Sequence, residues 1–179
     1  MMDIIIRKEV EKDFKEVKEM IRKSFESAEH TDNNEHNLAK NLRKSDNFIK
    51  ELSLVAEKDG KIIGHIMSTR LDIVSDNKSY VSLSIAPLSV HPDFQKMGVG
   101  SLLIKETFRV AKELGYESIF VLGSEKYYPK FGFEKSTNFG ISAPFDVPSE
   151  NFMAIELTKG ALENVSGNIV YAKEFFEEQ

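Results

Sequence analysis

The sequence predicts a mixed α/β fold, in which a central twisted sheet, partly parallel, is flanked by helices. Three observations carry that expectation. Lys58-Asp59-Gly60 separates two β-rich runs, which argues for an antiparallel hairpin. Later, the alternating run SYVSLSIAPLSV is followed by a periodic helical stretch from Gly100 and then by the apolar SIFVLG. Strand, helix and strand in that order make a crossover, so the second strand of the unit lies parallel to the first.

From the N-terminus, Ile4 to Arg7 reads as a short strand. Phe14, Val17, Ile21 and Phe25 then recur at helical spacing with charges between them, which predicts an amphipathic helix. The polar break ESAEHTDNNEHN offers Thr31, Asp32 and Asn33 as caps for a second short helix carrying Leu38 and Leu42. In the hairpin that follows, Asp-Gly supplies the positive φ of a tight turn. Pro87 interrupts the next strand, and because proline has no N–H, the strand's end must be irregular or unpaired on one side.

The helix after Gly100 sets Leu103, Ile104, Thr107, Phe108, Val110, Ala111 and Leu114 against a polar face of Lys105, Glu106, Arg109, Lys112 and Glu113, and Gly115 ends it. SIFVLG is almost wholly apolar, as a strand covered on both faces should be. EKYYPKFGF reads as a short helix or turn, a loop holds Pro144 and Pro148, and FMAIEL and GNIVYA read as strands before a polar tail. No repeat, low-complexity tract or linker divides the chain. Residues 1–179 are therefore expected to form a single domain, with a core over about 3–158 and a C-terminal strand and tail over 159–179.

Composition narrows the function. Hydrophobic residues at 41% and charged residues at 30% describe an ordinary globular chain rather than a disordered one. Acidic residues outnumber basic ones 29 to 24, and the net charge of -5 argues against nucleic acid as a partner. The absence of cysteine excludes a thiolate nucleophile, a disulfide framework and a Cys-ligated metal, and fits a reducing interior. Near the start, three consecutive isoleucines are too few for a signal peptide or a membrane span. A cytoplasmic protein without a membrane partner is expected. The four histidines show no metal-ligand spacing, so no metal is expected.

The stretch VHPDFQKMGVGSLLI, from Val90 to Ile104, places two glycines where a helix should begin. Glycine costs about 1 kcal/mol in a helix relative to alanine, so Gly98 and Gly100 need a compensating role. A helix N-terminus leaves amides unpaired at the positive end of its dipole, and glycines keep side chains from covering them. Gln95 and Lys96 add a donor and a cation, which suits a diphosphate better than a single carboxylate. There is no Gly-Lys-Ser/Thr, and the third glycine of the dinucleotide fingerprint is missing. By itself, a Gly-x-Gly of this kind also serves simply to pack a helix closely on a strand.

VHPDFQKMGVG resembles the acetyl-CoA signature of the GNAT-type N-acetyltransferase superfamily, in which Gln or Arg, two variable residues, Gly, one variable residue and Gly or Ala follow a strand and open the central helix. The resemblance extends along most of the chain. Paired with LGSEKYYPKFGF one crossover later, the signature is most similar to a bacterial subgroup of small acetyltransferases called YhbS-like. It implies a GNAT-like single domain, acetyl-CoA as cosubstrate, and direct acetyl transfer to a primary amine of a small molecule, peptide or protein. Val90 would offer backbone groups to the pantetheine arm with Leu88 and Ser89 alongside, and the amides of Gln95, Lys96, Met97, Gly98, Val99, Gly100 and Ser101 would surround the pyrophosphate.

Tyr128, at the family's aromatic position before Gly132, is the candidate general acid, with Tyr127 second. A phenol of pKa about 10 is protonated at neutral pH and can give its proton to a forming thiolate whose acid is nearer ~8.5. Many family members carry an acidic residue on the kinked strand, and SYVSLSIAPLSV has none. A water chain to His65, Glu29, His30 or Glu35 would then supply the base, with His65 preferred because its ordinary pKa is nearest neutral. The missing carboxylate also leaves open a non-catalytic module that binds acetyl-CoA or CoA as a sensor or scaffold. The acceptor amine is unassigned, and the chain is expected to be a monomer or a homodimer, the latter through pairing of an exposed C-terminal strand.

Overall fold

β2 (Phe48–Lys58) and β3 (Lys61–Ser75) form the hairpin that the Asp-Gly tip predicts, and both tip residues have left-handed φ, 51° at Asp59 and 78° at Gly60. They lie in a computed structural model that describes residues 3–26, 28, 31 and 33–177. β1 (Ile5–Lys8) adds antiparallel to β2, while β4 (Lys78–Val90) runs antiparallel to β3 along nearly its whole length. The crossover helix α3 (Val99–Glu113) then delivers β5 (Ser118–Leu122) parallel to β4, so the mixed sheet expected from the sequence is the one observed.

The rest of the chain completes both edges. β6 (Glu134–Lys135) and β8 (Phe152–Glu156) follow β5 in the sheet, giving the order β1-β2-β3-β4-β5-β8-β6. β7 (Ile141–Ser142) pairs with β9 (Gly167–Val170), and β9 in turn pairs with β3 beyond the point where β2 ends. The C-terminal strand therefore has neighbours on both edges. Its expected availability for pairing between chains is corrected, because those backbone groups are already satisfied within the chain.

Helices cover both faces. α3 buries Val99, Leu103, Ile104, Thr107 and Ala111, packing with Leu54, Ile66, Leu83 and Ile119 of the sheet. Leu114, expected on its apolar face, is 43% exposed because it occupies the C-cap, where Gly115 and Tyr116 turn back to bond the Lys112 and Ala111 carbonyls. α1 (Phe14–Phe25) and α2 (Glu35–Leu42) lie on the opposite face, burying Val17, Ile21, Ala39 and Leu42 with Val55 and Met67. The N-cap of α2 is Asn34 rather than Thr31 or Asn33, and Asp32 lies outside the described residues. No helix among the described residues is long and apolar enough to cross a membrane.

Strand alternation sorts β3 between these faces. Gly64 and Ile66 turn toward α3, whereas His65 and Met67 turn toward α1 and α2. A Cβ on Gly64 would stand 2.9 Å from Val99 Cγ1 and 3.0 Å from Leu103 Cδ1, so the start of α3 sits directly on this glycine. Gly64→Ala should therefore lower stability by about 1–3 kcal/mol through overpacking, read as a lower urea midpoint with an unchanged slope.

Candidate functional site

β4 and β5 stay together for three register pairs, Leu83 with Ile119, Ser84 with Phe120 and Ile85 with Val121, and then separate. At that point β4 carries an extra residue at Ala86-Pro87 relative to β3, the irregularity expected from the proline. Beyond it, the His91 N–H donates to the Ile63 carbonyl at 2.8 Å, which makes Gly64 and Val90 a non-hydrogen-bonded pair. The N–H and C=O of Val90 consequently point away from β3, toward the side that β5 has left. A cleft with unpaired strand backbone on one wall is the result.

α3 begins at the mouth of this cleft. Its first helical bond runs from Leu102 N–H to the Gly98 carbonyl, so the amides of Val99, Gly100 and Ser101 precede the ladder. Gly98 is the N-cap, with φ of 87° and open space around its Cβ position, and Lys96 also adopts a left-handed φ of 63°. Backbone of this kind turns amides toward one concavity, an arrangement suited to an anion. Gln95 does something the sequence did not suggest: its side-chain amide donates to the Val90 carbonyl at 3.1 Å and ties the loop to the end of β4. Met97 is exposed, while Val99 is buried in the core and offers only its backbone.

Two tyrosines form the far wall. The Tyr127 hydroxyl lies against Gly100, where a Cβ would collide with it, and the Tyr128 ring packs on Gly123 in the same way, just past the end of β5. Gly100 is thus glycine because a phenol rests on it, a reason additional to the bare amides read from the sequence. Tyr128 is buried, edge-on to Tyr127 and Phe133 with centroids at 5.2 and 5.6 Å. Burial, and secondarily Tyr127, pushes its pKa above the ordinary phenol value, so the group stays protonated across the physiological range.

His65 is also fully buried, but on the α1–α2 face. Its Nε2 lies 3.3 Å from both Glu9 Oε2 and Ser53 Oγ. Glu9 follows β1, and its carboxylate is gripped by Arg43 at 3.0 and 2.8 Å, while Ser53 Oγ donates to it at 2.8 Å. Burial alone would raise the pKa of Glu9, but the bonds from His65 and Arg43 outweigh it and bring it down to about 2.

The structure brings Val90, Gly100 and Tyr127 together and ties Gln95 to Val90, with Leu88, Gly98 and Ser101 adjoining them in the chain and Tyr128 packed edge-on to Tyr127. Ser89 departs from expectation: its backbone faces its register partner His65, and its side chain points to the α1–α2 face, away from the α3 N-terminus. Glu35 opens α2, bonded to Thr31, with Oε2 buried and unpartnered. The alternatives Glu29 and His30 lie outside the described residues. Glu9, Arg43 and Ser53 were not foreseen, since partners so far apart in sequence leave no periodic signal; Gly123 could have been suspected from its place between a strand and the aromatic turn. Among the described residues no three His, Asp or Glu side chains gather as a metal would require. A pocket of about 280 Å³ beside Tyr80, Glu117 and Leu162 and a groove of about 700 Å³ beside Asn138 and Lys159 both lie away from the cleft.

Comparison with known proteins bears on the family and the fold. Residues 14–133 match the Acetyltransferase (GNAT) family. The uncharacterized N-acetyltransferase YjhQ of Escherichia coli strain K12 is 36% identical over 118 residues, which span 65% of each chain. The uncharacterized N-acetyltransferase YhbS of the same strain is 29% identical over 96% of this chain and 98% of its own. Among solved structures, E. coli YhbS in complex with CoA superposes with a TM-score of 0.89 at 26% identity, over all of this chain and 95% of that one. A GNAT family acetyltransferase from Brucella melitensis in complex with acetyl-CoA gives 0.79 at 25% identity, covering 98% and 99%.

The buried carboxylate of Glu9 makes a demand on stability. Its pKa is depressed on folding, so its contribution is full above the unfolded value of 4.5 and is lost as pH falls from there toward about 2. Glu9→Gln should cost about 3–5 kcal/mol at neutral pH by stranding Arg43, and the deficit relative to the parent should shrink as urea titrations move from pH 5 toward pH 2.

Proposed function

The chain belongs to the Acetyltransferase (GNAT) family, and from that membership we propose that it moves the acetyl group of acetyl-CoA directly to a primary amine of a small molecule, peptide or protein. The observation that carries the reading is the cleft itself, where unpaired β4 backbone leads to the bare amides at the start of α3. Those residues fit the cosubstrate. Gln95 to Ser101 would hold the diphosphate, Gly98 leaving open space above the amides, and Leu88 and the backbone of Val90 would flank the pantetheine arm. Binding of CoA by YhbS and of acetyl-CoA by the Brucella protein supports the same assignment.

Acetyl-CoA supplies an activated carbonyl and a thiolate leaving group. As the amine's lone pair forms the C–N bond, the C–S bond breaks and Tyr128 gives its proton to the departing sulfur. The nitrogen's surplus proton then restores the phenol. A tyrosine kept neutral by burial suits that role because it always has a proton to give. The ammonium form of the acceptor must first lose a proton, and His65 is the base assigned to that step. One domain over residues 1–179, a cytoplasmic location and a monomer or homodimer without nucleic-acid partners complete the reading; the pairing of β9 with β3 supports the single domain, and the net charge of -5 argues against nucleic acid.

Thiol release from acetyl-CoA over a panel of primary amines tests the activity; CoA binding with silence across the panel would identify a binding module instead. Tyr128→Phe should lower kcat about 100-fold or more with little change in the Kd for acetyl-CoA, whereas equal loss of both would make Tyr128 structural. Gly98→Ala places a methyl in open space but strains the left-handed φ by about 1–2 kcal/mol, so CoA affinity by calorimetry should fall roughly tenfold while the circular dichroism spectrum is kept.

A further inference from the structure

We infer that Glu9, His65 and Ser89 form a buried proton relay that takes the acceptor amine's proton out of the cleft, with His65 Nδ1 as its basic atom. The inference rests on the transferase reading and deepens it, by giving His65 a partner on either side, the Glu9 carboxylate behind it and Ser89 of β4 in front.

The hydrogen-bond pattern fixes the tautomer of His65. Glu9 is an ionised acceptor, held so by Arg43, and Ser53 Oγ spends its hydrogen on Glu9 Oε1. Both neighbours of His65 Nε2, at 3.3 Å, can therefore only accept, and the ring proton belongs on Nε2. Nδ1 is left as a lone pair. It is buried and no protein group bonds to it.

A second orphan faces the same way. Ser89 Oγ is buried without a partner, and Ser89 is the direct register partner of His65 on the same face of the sheet. Paired residues of this kind place their Cα atoms about 5.5 Å apart, close enough for a hydroxyl and an imidazole to meet through one water or a small side-chain rotation. Ser89 sits between Leu88 and Val90 on the stretch of β4 from which β5 has parted, with its buried hydroxyl on the α1–α2 face of that stretch. Among the described residues, the charged groups on this side also include Arg43 at the end of α2, Glu35 at its start and Glu174 in the C-terminal turn packed on α2, the last two each with a buried, unpartnered Oε2; Glu16 of α1 turns instead to the Ile62 amide at 2.8 Å.

In operation, the ammonium gives one proton to Ser89 Oγ as that hydroxyl passes its own to His65 Nδ1. The imidazolium so formed is opposed by the Glu9 carboxylate and later loses its proton to solvent. Glu9 touches no substrate and is a positioning residue, holding the tautomer and stabilising the charged ring.

The test combines steady-state kinetics with side-chain NMR on the full-length protein. In the parent, kcat/KM for an accepted amine should fall on the acid side as His65 takes up a proton. His65→Gln should lose that limb and lower kcat about 100-fold with the acetyl-CoA Kd unchanged; Glu9→Gln should move the limb to lower pH; Ser89→Ala should lower kcat about tenfold, with Ser89→Thr restoring most of it. Independently of turnover, nitrogen-15 spectra should show the His65 proton on Nε2. A proton found on Nδ1, or a His65→Gln enzyme within about twofold of the parent with its acid limb intact, overturns the relay while leaving the transferase reading standing. Should His65→Gln fail to fold, Ser89→Ala and the tautomer decide the matter. A parent that binds CoA but acetylates no amine defeats the transferase reading, and the relay with it.

Discussion

The site depends on one constraint: β4 must leave β5 without unravelling the sheet. Three register pairs join the two strands, and past Ile85 no strand pairs with β4 on that side. Exposed strand backbone is costly when buried and invites the wrong partner when open. The fold tolerates it because β3 grips β4 on the other edge from Lys78 to Val90. The extra residue at Ala86-Pro87 redirects the strand at the point of parting, and the Gln95 side chain caps the Val90 carbonyl at its end. The cleft is thus an opening in a sheet whose other edge is fully committed, a stable way to present backbone groups to an extended ligand.

Glycines around the cleft answer to two different demands. Gly98 is set by conformation, a left-handed N-cap that no side chain crowds. Gly64, Gly100 and Gly123 are set by proximity, each with a side chain pressed where its Cβ would be: Val99, Tyr127 and Tyr128 respectively. The three close contacts fix the height of α3 over β3 and the tilt of both tyrosines, which positions the cleft's two walls relative to one another. Close packing and an uncovered helix start, which compete as explanations when only the sequence is in view, are divided here between Gly100, on which Tyr127 presses, and Gly98, which no side chain crowds.

What the sequence made legible was local. The hairpin tip, the proline irregularity, the faces of α3 and its closing glycine all follow from periodicity or turn chemistry within a few residues, and the structure bears them out. The helix N-terminus could be read as an anion seat for the same reason. Side-chain direction was less accessible: Ser89 lies in the expected stretch, yet its side chain turns to the other face, because strand alternation through a bulge cannot be phased without knowing where the extra residue falls. Long-range partners were invisible. Glu9, Arg43 and His65 come from three separate elements, and no spacing links them.

That last group raises the question of why charge is buried there at all. An ion pair in a protein interior gains little stability over well-packed apolar side chains, since desolvation consumes most of the attraction. Glu9 and Arg43 nonetheless sit 1% and 10% exposed, with Arg43 stacked 4.2 Å over Phe14, and the pair is placed against a histidine that is itself fully buried. Stability alone would be served as well by leucines. What apolar residues could not do is hold an imidazole in one tautomer and oppose the charge it acquires on protonation. On a strand that carries no acid of its own beside the cleft, the nearest place for a proton acceptor is one strand over, at the position paired with Ser89. The carboxylate of Glu9 lies 3.3 Å behind His65 Nε2, and the arginine keeps that carboxylate ionised.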